Sequence, residues 1–275
     1  MATATFKVWR GDAEGGEYTD FETEITTGMV VLDAIHQIQA ESANDLAVRW
    51  NCKAGKCGSC SAEVNGMPRL LCMTRMDTID IDKPITIEPI KAFPTMKDLV
   101  TDVSWNFDVK KTIKQFSPRP PDAEDGTWRV AQEDVDRVQE FRKCIECFLC
   151  QDVCHVLRDH QKTEEFIGPR FLVYTAALDM HPLDTEDRLE DLKEEHGIGF
   201  CNITKCCTHV CPEHITITDN AIIPLKERVV DRFYDPVMRI LRALFGKKKA
   251  TPTPPGDGEA GKAEEPATRG AAGTE

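Results

Sequence analysis

The chemistry of this 275-residue sequence rests on twelve cysteines in three groups. The first is Cys52-Lys-Ala-Gly-Lys-Cys57-Gly-Ser-Cys60, with Cys72 beyond it. This is C-x4-C-x2-C…C, the plant-type spacing for a [2Fe–2S] cluster. Three thiolates must converge from one loop that wraps the cluster. Gly55 and Gly58 permit the tight positive-φ turns and let amides approach the sulfides. The fourth ligand, Cys72, arrives from a hairpin turning at Asn65-Gly66. A zinc site is the rival, but zinc ligands usually come as C-x2-C pairs.

The second group, Cys144-Ile-Glu-Cys147-Phe-Leu-Cys150-Gln-Asp-Val-Cys154, has the C-x2-C-x2-C-x3-C spacing of bacterial ferredoxins. In that arrangement the fourth cysteine ligates the other cluster, so a second ladder must exist. It runs from Cys201 through Thr204 and Cys207 to Cys211, with Thr204 where the second cysteine belongs. Crossing the fourth cysteines gives Cys144, Cys147, Cys150 and Cys211 to one centre. The other receives Cys154, Cys201 and Cys207 only. A cuboidal cluster with three thiolates can lose its unligated iron, so the expected pair is [4Fe–4S] and [3Fe–4S]. Cys206 falls off the ladder and reads as a spare buried thiol, not as the ligand of a fourth iron.

These groups need two kinds of scaffold. Before about residue 100, alternating segments at Thr5–Trp9, Asp20–Ile25, Ala62–Val64, Met67–Leu71, Thr78–Ile81 and Ile85–Ile87 predict strands. Gly15-Gly16 is the first turn signal, and Val31, Leu32, Ile35 and Ile38 predict a helix over 29–40. Phe116 to Asp122, with three prolines, predicts an extended connector. Beyond it the pattern is helical. Val135, Val138 and Phe141 line a helix entering Cys144, and Gly168-Pro169 opens another through Leu178. Thr185 caps a charged helix closed by Gly197, and Pro224 opens one through Phe233.

The fold class expected is therefore α+β. A β-grasp, plant-type ferredoxin domain covers residues 1–108, and an α-helical domain like a bacterial ferredoxin covers 109–235. An amphipathic helix at 236–246 carries basic residues off its apolar face and suits either an anionic membrane surface or a subunit contact. The tail, 247–275, lacks large apolar residues and is expected to be disordered.

Composition narrows the function. A net charge of −13 disfavours a broad nucleic-acid surface. No stretch reaches the roughly 18 apolar residues of a membrane span, and the N-terminus lacks a secretory layout, so the thiols are expected to be reduced. There is no dinucleotide or P-loop fingerprint, so FAD and nucleotides are not expected to bind here. The histidines form no nucleophile or zinc arrangement; His155 and His209 neighbour cluster cysteines.

The order of two-iron, four-iron and three-iron motifs resembles the iron–sulfur subunit of succinate dehydrogenases and fumarate reductases across nearly the whole expected folded chain. Ile85 to Pro89, Phe93-Pro94 and Lys97-Asp98-Leu99-Val100 look like the family's strand leaving the first domain. The resemblance implies docking on an FAD flavoprotein and on a membrane anchor, peripherally, at the cytoplasmic face of the cell membrane. It implies that electrons from succinate cross the three clusters to a quinone, with no substrate chemistry on this chain. Fumarate reduction, running the electrons in reverse, is the alternative, and a soluble multi-cluster ferredoxin carrier is another. His155, Asp159 and Asn202 stand where ubiquinone-reducing members often carry Pro, Trp and His, which points to a different acceptor such as menaquinone.

Overall fold

The computed structural model describes residues 2–237 together with Ile240 and Leu244. Met1–Asp235 forms one compact unit and Pro236–Glu275 a second. In the second, Pro236, Val237, Ile240 and Leu244 are helical. The remainder of the helix expected at 236–246, and the whole tail expected at 247–275, lie outside the described residues.

The first unit begins with a mixed sheet. β1 (Ala2–Asp12) and β2 (Gly15–Ile25) form a long antiparallel hairpin. β3 (Ser61–Val64) and β4 (Met67–Leu70) form a short one, followed by β5 (Ile85–Glu88) and the small pair β6 (Thr95–Lys97) and β7 (Val100–Thr101). The strand order is β4-β3-β5-β1-β6-β7, with β2 also on β1, and β1 runs parallel to β5. The inward faces of Ala4, Phe6 and Val8 meet Ile85, Ile87 and the helix α1 (Val31–Glu41), which buries Val31, Leu32, Ala34, Ile35 and Ile38. That apolar spacing, three or four residues apart, is why the segment is a helix. Asn65 and Gly66 both have positive φ, as a type I′ turn between β3 and β4 requires.

Helices follow: α2 (Ser104–Thr112), α3 (Gln132–Gln139), the short α4 (Leu149–Asp152) and α5 (His155–Arg158), then α6 (Gly168–Asp179), α7 (Leu189–Glu194), the short α8 (Cys206–His209) and α9 (Ile223–Phe233). α6 is buried along most of its length, with Phe171, Leu172, Val173 and Ala176 almost fully enclosed. A π-helical turn at Ile217–Ile222 leads into α9. The connector is extended as expected. Pro118 bridges Asp184, the Arg119 amide donates to Leu183 O at 2.8 Å, and the fully buried Arg188 donates to the carbonyls of Lys114 and Gln115.

Local expectations fail where side-chain hydrogen bonds or close packing intervene. Gly15 and Gly16 are not the turn but the first residues of β2; the chain reverses at Ala13-Glu14. A Cβ on Gly16 would lie 2.6 Å from the Trp9 indole, so glycine is there for packing. Thr78–Ile81 is not a strand. The Thr78 hydroxyl and amide both donate to Arg75 O, and the chain coils from Met76 to Thr78. Thr185 does not cap α7, because its hydroxyl and amide donate to Ser117 O; the Leu189 amide is met by Asp187 instead. α2 carries Asn106 as its buried residue, and its polar sequence gave no helical signal.

Candidate metal centres

All twelve cysteines are free thiols, and most lie in three constellations. The first is built on the loop between α1 and β3. Lys53, Gly55 and Gly58 are left-handed, which bends the loop around a centre. The amides of Ala54 and Lys56 donate to Cys52 Sγ at 3.4 and 3.3 Å. Burial would raise the Cys57 thiol, but the amides of Ser59 and Cys52 outweigh it and hold it at about 6. Cys60 and Cys72 are buried against each other; burial pushes Cys60 up to about 12. The two are brought together by β3 pairing with β4, and Leu71 N donates to Cys60 O. Gly55 is pressed on Met73, whose Sδ would lie 2.8 Å from an added Cβ.

The second constellation lines one small cavity. Cys144, Cys147, Cys150 and Cys211 share it with Ile145, Phe148, Val173, Ile215 and Ile217. Glu146 and Phe148 are left-handed, so the chain coils around the cavity before α4 begins. Cys211 Sγ accepts from the Ile215 amide at 3.4 Å. Burial pushes Cys147 up to about 12 and Cys150 well above the ordinary thiol range. On the rim, Glu146 is held by Arg170 and Lys110, each at 2.6 Å.

The third lines another small cavity, formed by Cys154, Cys201, Cys206 and Cys207 with Thr204, His155, Phe166 and Thr218. Burial raises both Cys154 and Cys207 to about 11. Thr218 Oγ1 stands 3.5 Å from Cys207 Sγ and also accepts from the Thr208 hydroxyl at 3.0 Å. Thus Cys154, from the first helical stretch, faces the thiols of the second, and Cys211 faces those of the first. Cys206, expected to be a spare buried thiol, is only partly buried and lines this cavity.

The donor sets fit metal–sulfide centres. Thiols that burial holds protonated become thiolates when a cation compensates their charge. Among the described residues, no three His, Cys, Asp or Glu side chains close on one point as a single ion requires. Instead the thiols ring cavities, as they must if each binds a different iron of a polynuclear centre. Inward backbone amides supply the hydrogen bonds to sulfur that such centres use.

Several residues around these centres carried no signal in the sequence. The Ser61 hydroxyl is shared between Gly58 O at 3.0 Å and Cys147 O at 2.8 Å. A Cβ on Gly58 would lie 2.7 Å from Cys147 Cα. The first loop therefore rests directly on the backbone of the second. Gln151, fully buried between Cys150 and Asp152, donates to Ile167 O and accepts from the Arg170 amide, fixing α4 on α6. Charge patterning could have flagged Arg170, but nothing local marks Ser61 or Thr218. His209 lies in an open groove with Cys211, and His155 in the third cavity.

Comparison with known proteins agrees with this architecture. Residues 5–108 match the 2Fe-2S iron-sulfur cluster binding domain family, and residues 140–215 match the 4Fe-4S dicluster domain family. The fumarate reductase iron-sulfur subunit of Mycobacterium tuberculosis is 30% identical over 199 residues, covering 71% of this chain and 79% of that protein. The succinate dehydrogenase iron-sulfur subunit of Bacillus subtilis is 30% identical over 234 residues, covering 78% and 88%. A chain of the Mycobacterium smegmatis Sdh1 complex in the apo form superposes with a TM-score of 0.82 at 62% identity, covering 86% of this chain and 98% of that one. This chain belongs to the family of succinate dehydrogenase and fumarate reductase iron–sulfur subunits.

Proposed function

We propose that this chain carries electrons from the FAD of a flavoprotein subunit to a quinone at a membrane anchor, as the iron–sulfur subunit of a succinate dehydrogenase. When bound, the clusters supply one-electron transfer at three successive centres. The ligands in this reading are Cys52, Cys57, Cys60 and Cys72 for [2Fe–2S]; Cys144, Cys147, Cys150 and Cys211 for [4Fe–4S]; and Cys154, Cys201 and Cys207 for [3Fe–4S]. A β-grasp domain over 1–108 holds the first, and a helical ferredoxin-like domain over 109–235 holds the others.

The observation that carries the reading is continuity. The Gly58 loop lies on Cys147, and the two helical constellations exchange Cys154 and Cys211, so each site adjoins the next through bonded or touching backbone. This chain's residues bury Cys60, Cys72, Cys147, Cys150, Cys154 and Cys207 and donate amides to Cys52 and Cys211. Each lever sets potential without touching succinate. Among the described residues no helix is long and apolar enough to cross a membrane. In this reading the chain sits peripherally at the cytoplasmic face, held by a separate anchor subunit. The missing Trp and His of ubiquinone-reducing members favour menaquinone. The fumarate reductase relative at 30% identity keeps the reverse direction as the second reading.

The test is low-temperature spin resonance on the intact complex with single ligand changes. Cys154→Ser abolishes the three-iron signal and spares the four-iron centre, although Cys154 sits in the first ladder; Cys211→Ser does the opposite. If each change removes the centre of its own ladder, the crossed assignment is wrong. Potentiometric titration of the same samples against the menaquinone and ubiquinone couples assigns the direction.

A further inference from the structure

The third cavity contains one thiol more than its ladder uses. Both cysteine stretches trace the same backbone. Glu146 and Phe148 are left-handed at φ 54° and 61°, and Ile203 and Lys205 repeat this at 63° and 62°. A short helix starts at Leu149 in one and at Cys206 in the other. Position by position, Cys144 corresponds to Cys201, Cys147 to Thr204, Leu149 to Cys206 and Cys150 to Cys207. Thr204 therefore stands at the corner that Cys147 fills in the second centre. Cys206 Sγ lies 3.2 Å from Thr204 Oγ1, beside the corner that lacks a cysteine. Its counterpart Leu149 does not line the four-thiol cavity; it is buried in the apolar core at 1% exposure. Cys206 is partly exposed and lines its cavity with Cys154, Cys201 and Cys207.

We infer that Cys206 is the acceptor for a fourth iron, so that the third centre interconverts between three-iron and four-iron forms. The inference rests on the reading above that this centre is trinuclear at rest. The reduced core [3Fe–4S]0, one aquated Fe2+ and the Cys206 thiol give [4Fe–4S]2+ with Cys206 as fourth ligand, releasing water and one proton. Three iron–sulfide bonds and one iron–thiolate bond form, and the S–H bond breaks. No electron leaves or enters in this step. The one that first reduces the oxidised core is the electron this subunit already conducts. Iron uptake is thereby gated by electron occupancy: a reduced centre meeting free ferrous ion closes. Where ferrous ion is scarce the step reverses, Cys206 takes back its proton, and passing the core's one electron to the quinone this subunit serves leaves [3Fe–4S]+ open.

The experiment uses membranes carrying the intact complex, as wild type, Cys206→Ser, Cys206→Ala and Cys206→Ala with Thr204→Cys. Each is reduced anaerobically, given ferrous ion, desalted and gently reoxidised, and the oxidised three-iron signal is compared before and after. A starting signal establishes the trinuclear reading and the folding of each variant; its absence in wild type removes that reading. The expected result is at least a roughly twofold loss of signal in wild type and none in either single variant. The double variant, with its ladder completed, shows the four-iron form. Equal loss in wild type and Cys206→Ala, or no loss in wild type despite a normal starting signal, overturns the role of Cys206.

Discussion

Ser61 and Cys147, 86 residues apart, are joined by a hydroxyl-to-carbonyl hydrogen bond of 2.8 Å. This bond ties the end of the first metal-binding loop to the start of the second. Its neighbour Gly58 sits at φ +67° with no room for a side chain. Gly58→Ala is expected to cost on the order of 1–3 kcal/mol, because it adds both a Cβ clash and a disfavoured φ. It should also slow electron exchange between the two-iron and four-iron centres. Ser61→Ala, losing the hydroxyl alone, should cost about 1 kcal/mol and leave both centres assembled. Thermal unfolding and rapid-freeze spin resonance on both variants separate these outcomes.

Glu63 on β3 is fully buried, with Arg158 Nη1 on α5 at 2.6 Å and Lys91 Nζ at 3.2 Å. Asp152 lies close by, accepting the amides of Lys91 and Ala92; burial and then the Glu63 charge push its carboxyl up to about 7. Arg158→Leu strands carboxylates and should cost roughly 3–5 kcal/mol, whereas the double change Glu63→Leu with Arg158→Leu should recover much of that. Denaturant midpoints of the two variants decide it; a double variant no more stable than Arg158→Leu contradicts the account.

His196 is 3% exposed, and burial lowers its pKa below the ordinary value, only partly opposed by Asp191 and Glu195. The folded state therefore favours the neutral ring. Its contribution is fully present above about pH 6.5 and is lost as pH falls through the depressed folded value. His196→Gln should lose this part of the acid sensitivity. The gap in Tm between wild type and variant, followed from pH 7.5 to 5, should shift steadily in favour of the variant.

Arg170 lines the second cavity and pairs with Glu146. With a cluster bound in that cavity, its positive charge would favour the reduced form. Arg170→Met should lower the potential of that centre by roughly tens of millivolts, with the first centre unmoved. Potentiometric titration followed by spin resonance reads both shifts at once.

Much of the architecture was legible before folding because its signals are local. Period-two alternation marked β1 and β5, the apolar stripe marked α1, and Asn65-Gly66 marked the β3–β4 turn. Where a segment failed its expectation, a specific partner had intervened. Ser117 took the Thr185 hydroxyl, and the Trp9 ring claimed the space over Gly16. Thr78 was lost to a turn that alternation does not describe.

The cysteine spacings by themselves determined what kind of centre each stretch can wrap, since a loop of given length and glycine content offers thiolates in few geometries. Only the tertiary structure decided which distant residues meet around them: Ser61 and Gly58 against Cys147, Glu63 sealed under Arg158. Such neighbours are fixed by sheet pairing and helix packing between residues far apart in the chain. Spacing along the chain carries no information about distances of that kind.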